Sequence, residues 1–136
     1  MKTLLKLEEA AQFLACLALL LMNGVPWWTY LLLVLGPDIS MLGYLISTRV
    51  GAITYNVLHH KGIAALLLFL GGFREAMSQI GEWISGVNND PDLLWMIGVI
   101  LFGHASMDRM LGYGLKFGDH FQHTHLGWIG KGKSGE

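Results

Sequence analysis

The chain has 136 residues, enough for one domain; 53% are apolar, only 14% are charged, and the formal net charge is −1. Soluble domains carry about 25% charged residues, so this balance, with a positive mean hydropathy, points to an integral membrane protein of the all-α class. The lack of a basic stripe or dense Lys/Arg run argues against a nucleic-acid partner, and the single cysteine, Cys16, excludes an intramolecular disulfide.

The first apolar stretch covers residues 4–22. Lys2 and Lys6 ahead of it look like the start of a signal peptide, but Glu8 and Glu9 interrupt that order and no small-x-small cleavage site follows. The stretch reads as a retained membrane helix, ended by Asn23-Gly24-Val25-Pro26. Trp27, Trp28 and Tyr30 then mark re-entry at an interface. A second span, residues 27–48, is broken at Gly36-Pro37-Asp38, where proline removes a donor and restricts its predecessor. Broken backbone at membrane depth is tolerated only against protein or a wet cavity, which turns Asp38 inward; otherwise Asp38 caps the second of two short helices.

A third span, residues 50–71, carries Tyr55, Asn56, His59, His60 and Lys61. Tyr55 and Asn56 lie four and three residues before His59 and share its side of the helix, whereas His60 faces elsewhere. Phe73, Met77, Ile80, Ile84 and Val87 recur at spacings of three and four with polar residues between them. That pattern predicts an amphipathic helix over residues 73–87, lying in the interface. A turn at Asn88–Pro91 leads into a fourth span, residues 92–114, and a tail, residues 117–136. Lys2, Lys6, Arg49, Lys116, Lys131 and Lys133 then fall on one side and Arg74 on the other. The positive-inside rule places both termini in the cytoplasm, in a multi-pass protein of the cell's inner membrane. The whole chain forms one transmembrane domain, a four-helix bundle with the bilayer as its partner. Gly98, Gly103 and Gly112 offer small-residue faces for a homodimer.

Ionisable side chains inside a bilayer are costly and mark functional sites. At 1.5 Å per residue, Asp38, His59 and His104 all lie roughly 15–18 Å from the cytoplasmic boundary, so three helices bring polar groups to one depth. His104 and Asp108, one turn apart, share a helix face, while Arg109 points about 100° away. The candidate metal ligands are His59, His104, Asp108, Asp38 and Asn56, a set suited to zinc, iron or manganese. Asp108, Arg109 and Asp38 are the candidate catalytic groups, with Arg109 able to hold a phosphate or carboxylate. Three readings follow: a metal-dependent, hydrolase-like membrane enzyme; a non-enzymatic protein whose polar groups lock helices together or carry protons, as in a small transporter or assembly protein; and a haem protein ligated by His59 and His104. His120, His123 and His125 sit in a solvated loop, and Tyr113 and Lys116 are interface anchors.

Four ordered motifs carry a family likeness: Gly36-Pro37-Asp38-Ile39-Ser40-Met41-Leu42-Gly43-Tyr44; Tyr55-Asn56-Val57-Leu58-His59; His104-Ala105-Ser106-Met107-Asp108-Arg109, with Gly112-Tyr113-Gly114-Leu115-Lys116 after it; and Thr124-His125-Leu126. Over nearly its whole length the chain resembles a bacterial family of small multi-pass membrane proteins catalogued as domain of unknown function 4260. The resemblance implies a helical membrane protein. It marks Asp38, Tyr55, Asn56, His59, His104, Asp108, Arg109, Gly112, Tyr113, Lys116 and His125 as motif positions, and leaves out His60, His120 and His123. It brings no activity with it. A fainter likeness, Pro-Asp followed by histidines on later helices, is to the membrane-bound metal-dependent hydrolases.

Overall fold

The computed structural model describes residues 1–85 and 91–130. They are mostly helical: α1 (Lys2–Met22), α2 (Trp28–Leu35), a 3-10 segment (Pro37–Leu45), α3 (Thr48–Leu58), α4 (Lys61–Ser85) and α5 (Leu93–Leu111), then a short hairpin, β1 (His123–Thr124) with β2 (Gly127–Trp128). This bears out the all-α class.

α1, α2 and α4 pack on α5. Asp92 starts it, accepting the N–H groups of Leu94 at 2.8 Å and Trp95 at 3.2 Å, which satisfies two donors left free by the first turn. Gly112 ends it in the left-handed region, φ +99°, where glycine alone is free of strain. Between these caps, α5 buries residues around most of its circumference, from Met96 and Val99 to His104 and Asp108. α4 runs antiparallel to it at backbone contact. A Cβ on Gly98 would lie 2.4 Å from the Leu68 nitrogen, and one on Gly71 would lie 2.0 Å from that of Trp95. α1 packs antiparallel on another face, and Cys16, Leu20, Val25, Leu33, Met96 and Val99 form the buried core. α3 packs on the 3-10 segment, where the Thr54 hydroxyl donates to the Ser40 carbonyl at 2.8 Å.

Two helices depart from the expected pattern. The helix foreseen over residues 50–71 breaks at His59 and His60, and α4 runs unbroken through the region foreseen as a separate interfacial helix. His60 causes the new start: its Nδ1 accepts the N–H groups of Gly62 at 3.1 Å and Ile63 at 3.3 Å. The polar residues that suggested a water-facing helix are partly used inside the chain. Arg74 Nε lies 3.3 Å from Asp92, and the Glu75 carboxylate accepts the Asp92 N–H at 2.8 Å. Val87, the turn at Asn88, and Lys131 and Lys133 of the tail lie outside the described residues.

Among the described residues one stretch, Thr48–Gly81, which takes α3 and most of α4 together, is long and apolar enough to cross a membrane, and only 11% of its apolar window is buried inside the chain. Trp28–Leu35 and Pro37–Leu45, bent by 47°, pass as a second only if taken together. This is consistent with membrane association. The glycines foreseen at a dimer face have other work. Gly98 meets α4, Gly103 has Leu33 and Cys16 against it, and Gly112 ends α5.

The segment after α5 is more ordered than a solvated loop. It folds back so that Lys116 bridges Thr124, and both are buried. His123 stacks on Trp128 with centroids 4.7 Å apart and contacts the Asp119 carboxylate at 2.8 Å, which holds that carboxyl below its usual range.

Candidate metal centre

The 3-10 segment and α3 converge beside α5. Asp38 stands in the first turn of the 3-10 segment, His59 is the residue on which α3 ends, and His104 and Asp108 occupy one face of α5. One ligand atom from each lies within 4.8 Å of the other three. His59 Nε2 is 3.4 Å from Asp108 Oδ2 and 3.8 Å from Asp38 Oδ1. His104 Nε2 is 3.5 Å from Asp38 Oδ1 and 3.9 Å from Asp108 Oδ1. These spacings are too long for hydrogen bonds. They are near the roughly 3.3–3.6 Å that separates ligand atoms around a tetrahedral ion with bonds of about 2.0–2.2 Å. His59, His104 and Asp108 are buried, while the Asp38 side chain, 33% exposed, forms the edge open to the outside.

Both imidazoles are held in one tautomer from behind. His59 Nδ1 lies 2.8 Å from the Tyr55 carbonyl oxygen, and His104 Nδ1 lies 3.0 Å from that of Leu33. A carbonyl only accepts, so each Nδ1 carries the proton and each Nε2 presents a lone pair. Neither Nε2 has a hydrogen-bond partner, although both are buried. The Leu33 oxygen is free to accept because its helical partner four residues on is Pro37, which has no N–H. The proline that bends the chain therefore also frees the acceptor that orients His104.

The inventory is lopsided. Two carboxylates and two imidazole lone pairs face one point, and against them the hydroxyl of Tyr55 donates to Asp108 Oδ2. Tyr55 also stacks on His59, with centroids 3.7 Å apart and planes 11° from parallel. The Lys116 ammonium lies nearby, over the rings of Phe121 at 4.3 Å, Tyr55 at 5.1 Å and Tyr113 at 5.7 Å. Burial pushes this ammonium below its ordinary pKa, and Asp108 and Asp38 pull it back up. Four convergent acceptors repel one another, and a cation held between them relieves the repulsion.

Of the sequence-derived candidates, Asp38, His59, His104 and Asp108 come together. Asn56 does not join them: its side chain clasps the backbone of Lys116, donating to the carbonyl at 2.8 Å and accepting the N–H at 2.7 Å. Arg109 points toward α1, with Nη1 3.9 Å from Glu9. There Glu9 is bonded by Lys61, whose ammonium also donates to Gln12 at 2.5 Å. A site for haem between His59 and His104 does not fit. The rings meet edge to face with centroids 4.9 Å apart, and the two carboxylates fill the space a macrocycle would need on either side of its iron.

Sequence reasoning missed the role of Tyr55 as a donor to Asp108, although its spacing to His59 placed it on the right face. It also missed the Leu33 carbonyl, which only the position of Pro37 could have suggested, and the pairing of Glu9 with Lys61.

The family model described as Domain of unknown function (DUF4260) matches residues 2–129, so the chain belongs to that family. No curated protein and no solved structure matches it.

Proposed function

We propose that this member of the DUF4260 family is a metal-dependent membrane enzyme of hydrolase-like chemistry, with one divalent ion held by Asp38, His59, His104 and Asp108. One observation carries the reading: two buried Nε2 atoms without partners, their tautomers set by backbone carbonyls, face two carboxylates at ligand spacing. Outer hydrogen bonds that orient a ligating imidazole and hold a ligating carboxylate are what a metal site requires.

Two imidazoles with two carboxylates suit zinc, iron or manganese. Such an ion supplies a bound water of lowered pKa and a Lewis-acidic position. Four protein ligands complete a tetrahedral shell but leave two positions open in a six-coordinate one, so catalytic use favours manganese or iron, or release of Asp38. Asp38 is the group placed to give way or to take a proton from water, since it stands at the open edge. Asp108 is buried and tied to Tyr55, which suits a fixed ligand.

The fuller membrane reading, a multi-pass bundle with four spans and both termini in the cytoplasm, rests on the apolar surface. Leu31 and Leu35 on α2, Leu45 at the end of the 3-10 segment, Ile53 on α3, and Leu66 and Phe69 on α4 are all exposed. Monomeric soluble proteins rarely leave so much apolar surface uncovered.

The test is elemental analysis of detergent-purified protein after loading with zinc, manganese or iron(II) in turn. One ion per chain is expected, falling to background in His59→Ala and His104→Ala variants that keep their helical circular dichroism. Background metal in the loaded parent protein would end the reading. Resistance of the chain to carbonate extraction from membranes, and labelling of single-cysteine variants at either terminus from the cytoplasmic side alone, test the topology.

A further inference from the structure

A second polar site lies on the other side of the same turn of α5. A pocket of about 490 Å³ opens between the first turns of α1, the end of α5 and the segment leading into the hairpin, and Lys2, Lys6, Arg109 and His125 line it, with Glu9 as its one acid. We propose that this pocket binds a phosphate group.

The charges support this first. Lys2 and Lys6 are one turn apart on α1, so two like charges share a face, and neither ammonium has a hydrogen bond or ion pair among the described residues. Such an arrangement is unfavourable until an anion comes between them. Glu9 does not neutralise it, because its carboxylate is already bonded by Lys61, and Arg109 Nη1 stands 3.9 Å from it. Arg109 is only 20% exposed at its side chain, whereas Lys2, Lys6 and His125 are exposed, so it is the most enclosed cation of the lining.

Hydrogen-bond chemistry points the same way. The Nδ1 of His125 accepts the N–H of Leu115 at 2.8 Å, so in the neutral ring the proton resides on Nε2. The imidazole therefore offers the pocket a donor. With two ammonium groups, a guanidinium fork and an imidazole N–H, the polar groups of the lining other than Glu9 are all donors. A carboxylate needs one such fork, whereas several cationic donors around one space match a dianion with three or more oxygens. The carbonyls at the end of α5 do not oppose it, since the N–H groups of Gly112 and Tyr113 satisfy those of Arg109 and Asp108.

Two sources share this chemistry: a free phosphate ester and the headgroup of an anionic phospholipid. Leu5, half exposed, and Leu126, 48% exposed, complete the lining and would lie against the carbon part of either. No pocket residue belongs to the Asp38/His59/His104/Asp108 cluster. The proposal thus stands apart from the metal reading, and either can fail alone.

The experiment uses the full chain with two probes: inorganic phosphate added to detergent-purified protein, followed by calorimetry, and nanodiscs containing phosphatidic acid, compared with phosphatidylcholine alone. Binding of one probe or both is expected, weakened about tenfold or more by Arg109→Gln, as for loss of a charge-assisted bond. A double Lys2→Gln, Lys6→Gln variant at exposed positions should weaken it too, with metal content unchanged. Binding of inorganic phosphate identifies a soluble ester, and binding of phosphatidic acid alone identifies a lipid headgroup. No binding of either probe, or binding that both variants leave intact, overturns the proposal.

Discussion

Two polar clusters flank α5, one partly buried and one largely buried, and they differ in how their hydrogen bonds close. On the α1 and α4 side, Glu9 is met by Lys61 and approached by Arg109, and Lys61 also reaches Gln12. Each cationic donor there has an acceptor within reach. On the α3 side, Asp38, His59, His104 and Asp108 present lone pairs to one another, and two buried nitrogens have no partner. A closed network holds helices together, while an all-acceptor cluster is complete only with a cation. Both would read as intramembrane ionisable residues by composition alone; the hydrogen-bond inventory separates them.

The largest expected contrast is in the response to removing an acid. His104→Ala or Asp108→Ala should take bound metal to background, because each deletes one of four ligands. In metal-free protein, Asp108→Asn should leave thermal stability unchanged or raise it, since it removes charge from a set of convergent acceptors. Thermal unfolding in detergent, with and without a chelator, checks this. A clear loss of stability for chelated Asp108→Asn would place the cluster in the same class as the paired network.

The paired network should respond oppositely. Lys61→Met leaves the Glu9 carboxylate only Arg109 as a cationic neighbour, and the cost should approach, without exceeding, the loss of about 3–5 kcal/mol on breaking a fully buried pair. Glu9→Gln in the same chain should recover part of that loss, and neither variant should change metal stoichiometry. The readout is the unfolding midpoint of the two single variants and the double variant.

How far the sequence exposes these clusters depends on the range of the contact. Asp38, His59 and His104 were legible because each sits at a similar distance from the expected cytoplasmic boundary, and helix rise converts that count into depth, while Asp108 followed from its place one turn after His104. Neighbouring residues were harder. Tyr55 and Asn56 differ by about 100° of helix rotation, so both fitted the face of His59, and the fold gives Asp108 to Tyr55 and the Lys116 backbone to Asn56. Arg109 was assigned to the site by adjacency to Asp108, and its contact with Glu9 depends on how α1 packs against α5, which no local pattern encodes. The continuous α4 was hidden for a similar reason: Arg74 and Glu75 look solvated until Asp92 is brought beside them.

A smaller effect is expected one shell out. Tyr55→Phe keeps the stacked ring on His59 and removes only the hydroxyl that donates to Asp108. Loss of such an outer partner typically costs about 10–100-fold in metal affinity. A competition titration against a coloured chelator measures it. No change would mean that Asp108 is positioned by α5 alone.

The smallest effect should come from Pro37→Ala, and it separates two consequences of one residue. Alanine supplies an N–H that the proline lacks, and the Leu33 carbonyl is its natural partner four residues back. That oxygen already accepts from His104 Nδ1 at 3.0 Å. A carbonyl has two lone pairs, so the new donor shares the acceptor instead of displacing the imidazole. The hold on the His104 tautomer should loosen without being lost, and metal affinity should fall by less than about tenfold, below the range for outright loss of an outer partner. Nitrogen-15 shifts of His104 should show partial exchange between tautomers in the metal-free variant. The bend of 47° between α2 and the 3-10 segment sets the alternative outcome. If Pro37 matters mainly by holding that bend, its loss straightens the segment and carries Asp38 away from the cluster. Affinity would then fall as far as in an Asp38→Ala variant, with the His104 tautomer unchanged.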